Sequence, residues 1–155
     1  MKRIIFFDRD GVINVPALKG DYITNWKDFI FMPNVITTLK YLSDNKYYIF
    51  IITNQQCVGK NIISEHDLTI LHQQLIQELI DNKINIEKIY FCPHLESKNC
   101  NCRKPKPGML QLAAKEYHFQ GNEMRSALMV GDSETDIMAG KKFGCKTVLL
   151  RSQLS

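Results

Sequence analysis

An α/β fold built on a parallel sheet is predicted for this 155-residue chain by three observations. Short, continuous apolar runs recur along it, as strands buried on both faces require. Amphipathic helical stretches alternate with those runs. The runs end in small polar or acidic residues: Asp8-Arg9-Asp10-Gly11, Thr53-Asn54-Gln55 and Gly131-Asp132. Ligands of open α/β sheets bind just beyond the carboxyl ends of strands, so these residues are the first candidates for chemistry.

The run Ile4-Ile5-Phe6-Phe7 delivers Asp8 and Asp10. Two carboxylates this close repel unless a cation or a shared proton relieves them. Mg²⁺ favours oxygen ligands and commonly joins one or two carboxylates to a substrate phosphate. Carboxylates also form covalent phosphoryl intermediates. Metal-assisted phosphoryl transfer follows, with Asp8 as nucleophile and Asp10 as acid and base. A calcium loop also begins Asp-x-Asp, but it needs an oxygen ligand at position five and glycine at six. Here Val12 is at five and Gly11 already at four.

Residues 14–31 read as irregular, with turn formers Pro16, Gly20 and Asp21. Pro33 opens a helix whose apolar face is Val35, Ile36, Leu39 and Leu42, ending at Asp44-Asn45. Tyr47–Thr53 is a second buried strand. The Thr53 hydroxyl and the groups of Asn54 and Gln55 suit a phosphate oxygen; alone, such a threonine is better explained by a turn or cap, and its place after a second buried strand favours function. Ser64 caps a long helix with Leu68, Leu71, Leu75 and Leu79 as its stripe, widened by Ile76 and Ile80. His66 and His72 on this helix read as surface or boundary residues. Residues 86–91 form a weaker third strand.

Cys92, His94, Cys100 and Cys102 follow within eleven residues. Three thiolates and an imidazole are a tetrahedral Zn²⁺ set, and four protein ligands make a closed, structural site. Zinc would order a long loop that has no core of its own; reduced cysteines in a plain loop are the alternative. Arg103 and Lys104 leave this loop directly. Lys104 can neutralise a phosphoryl group as a point charge, and Arg103 can make a two-toothed contact to an anion or hydroxyl. Pro107 starts a helix carrying Leu110, Leu112, Ala113 and Tyr117. Residues 126–130 form a fourth strand, after which Asp132 can complete the Mg²⁺ site and Asp136 can orient it. A helix ends near Gly144, and residues 145–150 form the last strand. Cys57 and Cys145 read as free thiols.

With 45% hydrophobic and 23% charged residues, the chain is expected to be one globular domain over 1–155. A net charge of +4 suits an anionic substrate without indicating nucleic acid. Lacking an apolar run of membrane-spanning length and a signal-peptide pattern, it is expected in the cytoplasm, off the membrane and as a monomer.

In order, Asp-x-Asp-Gly, Thr-Asn-Gln, Lys104 and Gly-Asp-x-x-x-Asp resemble the haloacid-dehalogenase superfamily of phosphohydrolases over essentially the whole chain. The opening Asp8-Arg9-Asp10-Gly11-Val12-Ile13-Asn14, the Cys-x-His and Cys-x-Cys pairs, and the segment Arg103–Met109 are similar to one branch of it. That branch holds the D-glycero-D-manno-heptose 1,7-bisphosphate 7-phosphatases and the histidinol-phosphate phosphatases. The resemblance implies a three-layer, Rossmann-like sandwich with a parallel central sheet. It implies Asp8 as the residue phosphorylated, Asp10 as acid then base, and Thr53 and Lys104 as phosphate-holding groups. Mg²⁺ would be bound by Asp8, the Asp10 carbonyl and Asp132. No cap domain fits in the 42 residues between Asp10 and Thr53, so the zinc loop and residues 15–22 would wall the site. The short gap between His94 and Cys100 is as in histidinol-phosphate phosphatases, whereas Lys106–Met109 resembles the heptose enzymes of carbohydrate and lipopolysaccharide synthesis. Ser133 stands where heptose enzymes tend to carry a basic residue.

Two further readings are open. Receiver domains of signalling proteins also place aspartates, a threonine and a lysine around Mg²⁺, but their acceptor Asp follows the third strand and they need no zinc loop. A nucleic-acid end phosphatase would need a basic groove with stacking aromatics, and the cluster Lys98, Arg103, Lys104, Lys106 contains none.

Overall fold

The computed structural model describes residues 1–151. Its element order follows the predicted alternation. Strand β1 (Ile4–Phe7) leads through a loop with a 3-10 turn at Trp26–Asp28 to helix α1 (Val35–Asp44) and strand β2 (Tyr48–Asn54). Helix α2 (Glu65–Asp81), strand β3 (Lys88–Cys92) and a second 3-10 turn at Glu96–Lys98 follow. Helices α3 (Gly108–Glu116) and α4 (Gly121–Ser126), strand β4 (Leu128–Gly131), helix α5 (Glu134–Phe143) and strand β5 (Lys146–Leu149) complete the described chain.

The five strands pair in parallel throughout, and the sheet order is β3-β2-β1-β4-β5. The chain steps outward from β1 to β3 and then returns to the other side of β1. The direction of winding therefore reverses between β1 and β4, and a crevice opens at their carboxyl ends. Asp8 follows one of these strands and Asp132 the other.

Successive strand side chains face opposite sides of a sheet, and the core divides accordingly. Ile5, Phe7, Ile49 and Ile51 pack with Leu39 and Leu42 of α1 and Leu68, Leu71, Leu75 and Leu79 of α2. Ile4, Phe6, Phe50 and Ile52 pack with Leu110 and Ala113 of α3 and Ala139 of α5. The result is the expected three-layer sandwich. Ser64 caps α2 by accepting the Asp67 N–H at 3.0 Å. The stripe of α2 is narrower than predicted, with Ile80 exposed, and on α3 Leu112 is exposed as well. The irregular loop is held by its own aromatic cluster, with Trp26 stacked on Phe29 at 4.9 Å and Phe31 edge-on to both.

Most boundaries shift from expectation by one or two residues, and three of the differences are informative. α1 begins at Val35, behind Asn34 in the left-handed region (φ 67°). β3 begins at Lys88, two residues late. Ser126 belongs to α4, an unforeseen helix closed by a capping box between Gln120 and Glu123. Buried Glu123 accepts the Gln120 and Lys2 N–H groups at 2.7 and 2.5 Å. It thereby ties α4 to the residues entering β1, at the amino end of the sheet.

Candidate active site

Lys104 is the hub. It is almost wholly buried, and its Nζ meets Asp8 Oδ1 at 2.9 Å, Asp136 Oδ1 at 2.6 Å and donates to the Ile52 carbonyl at 2.7 Å. Burial alone would make a lysine shed its proton, but the two carboxylates outweigh it and raise the pKa. The Asp8 carboxyl is pushed up to about 7, first by burial and then by Asp136 and Asp132, with Lys104 pulling the other way. Asp132 is raised by burial and then by Asp136, against the pull of its contact with Asp8 and of Lys104. One ammonium among three carboxylates leaves the crevice with excess negative charge.

Gly11 makes this convergence possible. Its φ is +87°, and a Cβ there would lie 1.9 Å from Asp132 Oδ2, so the β4 carboxylate rests directly on the β1 loop. Asp136, in the first turn of α5, is turned inward. Its Oδ2 accepts the N–H groups of Asp132 and Ser133 at 3.2 Å and the Ser133 hydroxyl at 2.9 Å. Asp8, Asp132 and Asp136 each offer an oxygen to one point, within 4.8 Å of one another. An all-oxygen, acidic donor set with too few cations suits a hard divalent ion. Asp136 is already committed to Lys104 and three donors, which leaves Asp8 and Asp132 as the freer ligands.

Asp10 lies beside this group in a different setting. Its Oδ1 accepts from Arg9 Nη2 at 2.8 Å and Asn14 Nδ2 at 2.9 Å, and its Oδ2 from Gln55 Nε2 at 2.8 Å. Burial opposes ionisation, yet Arg9 and these donors together hold the carboxyl below its usual range. Two aspartates two residues apart are thus driven in opposite directions.

The β2 end supplies the third side. Thr53 is buried and its Oγ1 accepts from Gln55 Nε2 at 2.9 Å. Asn54 pairs with the backbone of residue 104 in both directions, accepting its N–H at 3.0 Å and donating to its carbonyl at 3.1 Å. That double contact fixes the loop from which Lys104 enters. Arg103 is partly buried, and its Nη1 is enclosed without a hydrogen-bond partner. A cavity of about 190 Å³ is lined by Asp8, Asp10, Asn54, Lys104, Ser133, Thr135 and Asp136. A larger, more open depression of about 430 Å³ lies between Gln56 and Leu95–Ser97 and offers one carboxylate, Glu96. The titratable groups converge on the smaller space. Residues 15–22 meet the edge of the larger depression: the Tyr22 hydroxyl accepts from Gln56, which lines it, and from Lys60 at 3.2 and 2.8 Å.

The structure gathers Cys92, His94, Cys100 and Cys102. His94 Nδ1 lies 3.4 and 3.2 Å from the sulfurs of Cys92 and Cys102, and the sulfurs lie 3.1–3.6 Å apart. Burial opposes ionisation of Cys100, but N–H groups of Arg103 and Cys102 and the adjacent thiols bring it down to about 6. Cys92 and Cys102 are raised, chiefly by burial. Lys106 closes the loop by donating to Asn99 Oδ1 and the Cys100 carbonyl at 2.8 and 2.6 Å. Cys57 and Cys145 are free and apart from this cluster.

Three participants were not anticipated. His72 is buried, not superficial, and its Nε2 lies 3.0 Å from Arg9 Nη1. It occupies the stripe of α2, four residues after Leu68 and three before Leu75, so periodicity did point to it. Asn14 and the side chain of Arg9 carried no comparable signal.

The polynucleotide kinase 3 phosphatase family model matches residues 3–146. A Campylobacter jejuni D-glycero-alpha-D-manno-heptose-1,7-bisphosphate 7-phosphatase is 35% identical over 148 residues, 96% of this chain and 81% of that one. A Helicobacter pylori D-glycero-beta-D-manno-heptose-1,7-bisphosphate 7-phosphatase is 36% identical, over 97% and 84% of the two chains. Among solved structures, a D,D-heptose 1,7-bisphosphate phosphatase from B. bronchiseptica, complexed with magnesium and phosphate, superposes with a TM-score of 0.86. Its identity is 26%, and 95% of this chain and 79% of that one are covered.

Proposed function

From the premise that this chain belongs to the haloacid-dehalogenase superfamily of phosphatases, among the relatives of the heptose-bisphosphate phosphatases, we propose that it removes the 7-phosphate of D-glycero-D-manno-heptose 1,7-bisphosphate. The observation that carries this reading is the crevice itself. Lys104 is fixed between Asp8 and Asp136, with Asp132 beside them and Asp10 held separately by neutral and cationic donors.

In this reading Asp8 attacks phosphorus and the bond to the sugar oxygen breaks. Once the anionic phosphoryl group lies beside it and favours its neutral form, Asp10 gives its proton to that oxygen, then takes one from the water that hydrolyses the aspartyl-phosphate. Lys104 holds Asp8 in place and offsets charge on the phosphoryl group. Thr53, Asn54, Gln55 and Arg103 form the phosphate side, where the unpartnered Arg103 Nη1 is suited to a further anionic oxygen. Mg²⁺, held by Asp8, Asp132 and the Asp10 carbonyl, would supply charge neutralisation. The small cavity takes a phosphoryl group and leaves the sugar at the open mouth. Zn²⁺ at Cys92, His94, Cys100 and Cys102 would be structural, and its distance set fits a closed four-ligand site. Among the described residues no helix is long and apolar enough to cross a membrane, and we place the enzyme in the cytoplasm.

A polynucleotide substrate is disfavoured by the basic cluster. Lys104 is enclosed in the site and Lys106 is tied to its own loop, so two of the four cations cannot track a backbone. The short zinc loop keeps histidinol phosphate as the second reading. The test is phosphate release with Mg²⁺ from the heptose bisphosphate, histidinol phosphate and a 3′-phosphorylated oligonucleotide, with Asp8→Asn as blank. Preference for the first supports the proposal; preference for either other substrate replaces it.

A further inference from the structure

Arg9 is the largest wholly buried side chain among the described residues. A guanidinium keeps its charge everywhere, so enclosing one demands acceptors placed around it. Arg9 has three. Nε donates to Asn14 Oδ1 at 3.2 Å, Nη1 faces His72 Nε2 at 3.0 Å, and Nη2 donates to Asp10 Oδ1 at 2.8 Å. The Phe29 ring lies 5.7 Å from its centre. For Nη1 to donate, His72 must be neutral with its lone pair on Nε2. Burial and the adjacent arginine enforce this, pushing the imidazole down to about 3.

Asp10 Oδ1 takes two donors, from Arg9 and Asn14, whereas Oδ2 takes one, from Gln55. A carboxylate oxygen with two donors is filled; the one with a single donor keeps a lone pair for a proton. We propose that Arg9 and His72 are positioning residues for proton transfer: His72, on α2, aims the guanidinium, and the guanidinium turns Asp10 so that Oδ2 handles the proton. This rests on the reading of Asp10 as acid and base. As the Asp8–phosphorus bond forms and the bond to the leaving oxygen breaks, the proton on Oδ2 passes to that oxygen. In the second half, Oδ2 takes a proton from the attacking water. Oδ1 remains on Arg9 and Asn14 throughout.

Leaving-group dependence separates this role from packing. Departure of 4-nitrophenolate needs no proton, whereas departure of a sugar alkoxide does. We would compare kcat/KM for the heptose bisphosphate and for 4-nitrophenyl phosphate in Arg9→Lys, His72→Leu and His72→Gln, with thermal melts as the folding control. His72→Leu should lose at least tenfold more kcat/KM on the sugar phosphate than on the aryl phosphate. His72→Gln, which restores an acceptor, should recover most of that difference. Should Arg9→Lys not fold, the two His72 variants decide. Equal losses on both substrates would overturn the proposal and leave His72 a packing residue. Wild-type turnover no greater than that of Asp8→Asn on either substrate would instead overturn the phosphatase reading beneath it.

Discussion

Lys104 and His72 are buried basic side chains in opposite states, and each gives a testable consequence. Lys104 is charged because Asp8 and Asp136 surround it. Replacing it with methionine leaves two carboxylates facing each other, and removing one partner from a buried pair costs about 3–5 kcal/mol. Lys104→Met should lose stability on that scale in urea unfolding and show no turnover. Gly11→Ala should be milder but directed, since an alanine at a positive φ costs roughly 1–2 kcal/mol and its Cβ displaces Asp132. The expected outcome is a raised Mg²⁺ requirement in activity titrations. His72 is neutral, with its pKa pushed from 6.5 to about 3. Below pH 6.5 the unfolded chain binds a proton that the native protein does not, so stability falls as pH is lowered through the window from 6.5 to 3. His72→Gln lacks this effect. Its stability deficit relative to wild type should therefore shrink by about 2 kcal/mol between pH 7 and pH 5 in paired unfolding curves.

The Cys/His loop and α2 show which elements a sequence exposes to view. The grouping of Cys92, His94, Cys100 and Cys102 was legible because such spacing has few other uses, and the structure does bring the four together. The loop runs from the buried end of β3 straight into Arg103 and Lys104, so ordering it also places Lys104. Metal analysis should find about one zinc per chain, in keeping with one closed four-ligand site. A strong chelator should lower the melting temperature and reduce turnover, which Mg²⁺ alone does not restore. The loss should be partial, because Asn54 grips residue 104 from the opposite side. Strands β1 and β2 and the stripe of α2 were legible because apolar runs and 3.6-residue spacing report burial directly. Helix α4 was not: it is six residues long, and its signal, Gln120 with Glu123, is a side-chain exchange and not an apolar pattern. The carboxylates at the strand ends were equally plain, whereas the tasks of Arg9 and Asn14 depend on a loop geometry that no spacing encodes.

Across the whole molecule the core has two faces sharing one sheet, and the loop bearing Trp26 packs into the first of them. Unfolding followed by the fluorescence of this single tryptophan should coincide with unfolding followed by far-ultraviolet circular dichroism. A lag between the two would show that the loop melts separately. Parallel strands give the sheet a polarity: everything chemical gathers at its carboxyl ends, while the opposite end carries closures such as that of Glu123 with Lys2 and Gln120. Glu123→Ala should therefore lower the melting temperature with kcat/KM unchanged. A protein arranged this way can drift at one pole without consequence for the other, so robustness and turnover are open to independent selection.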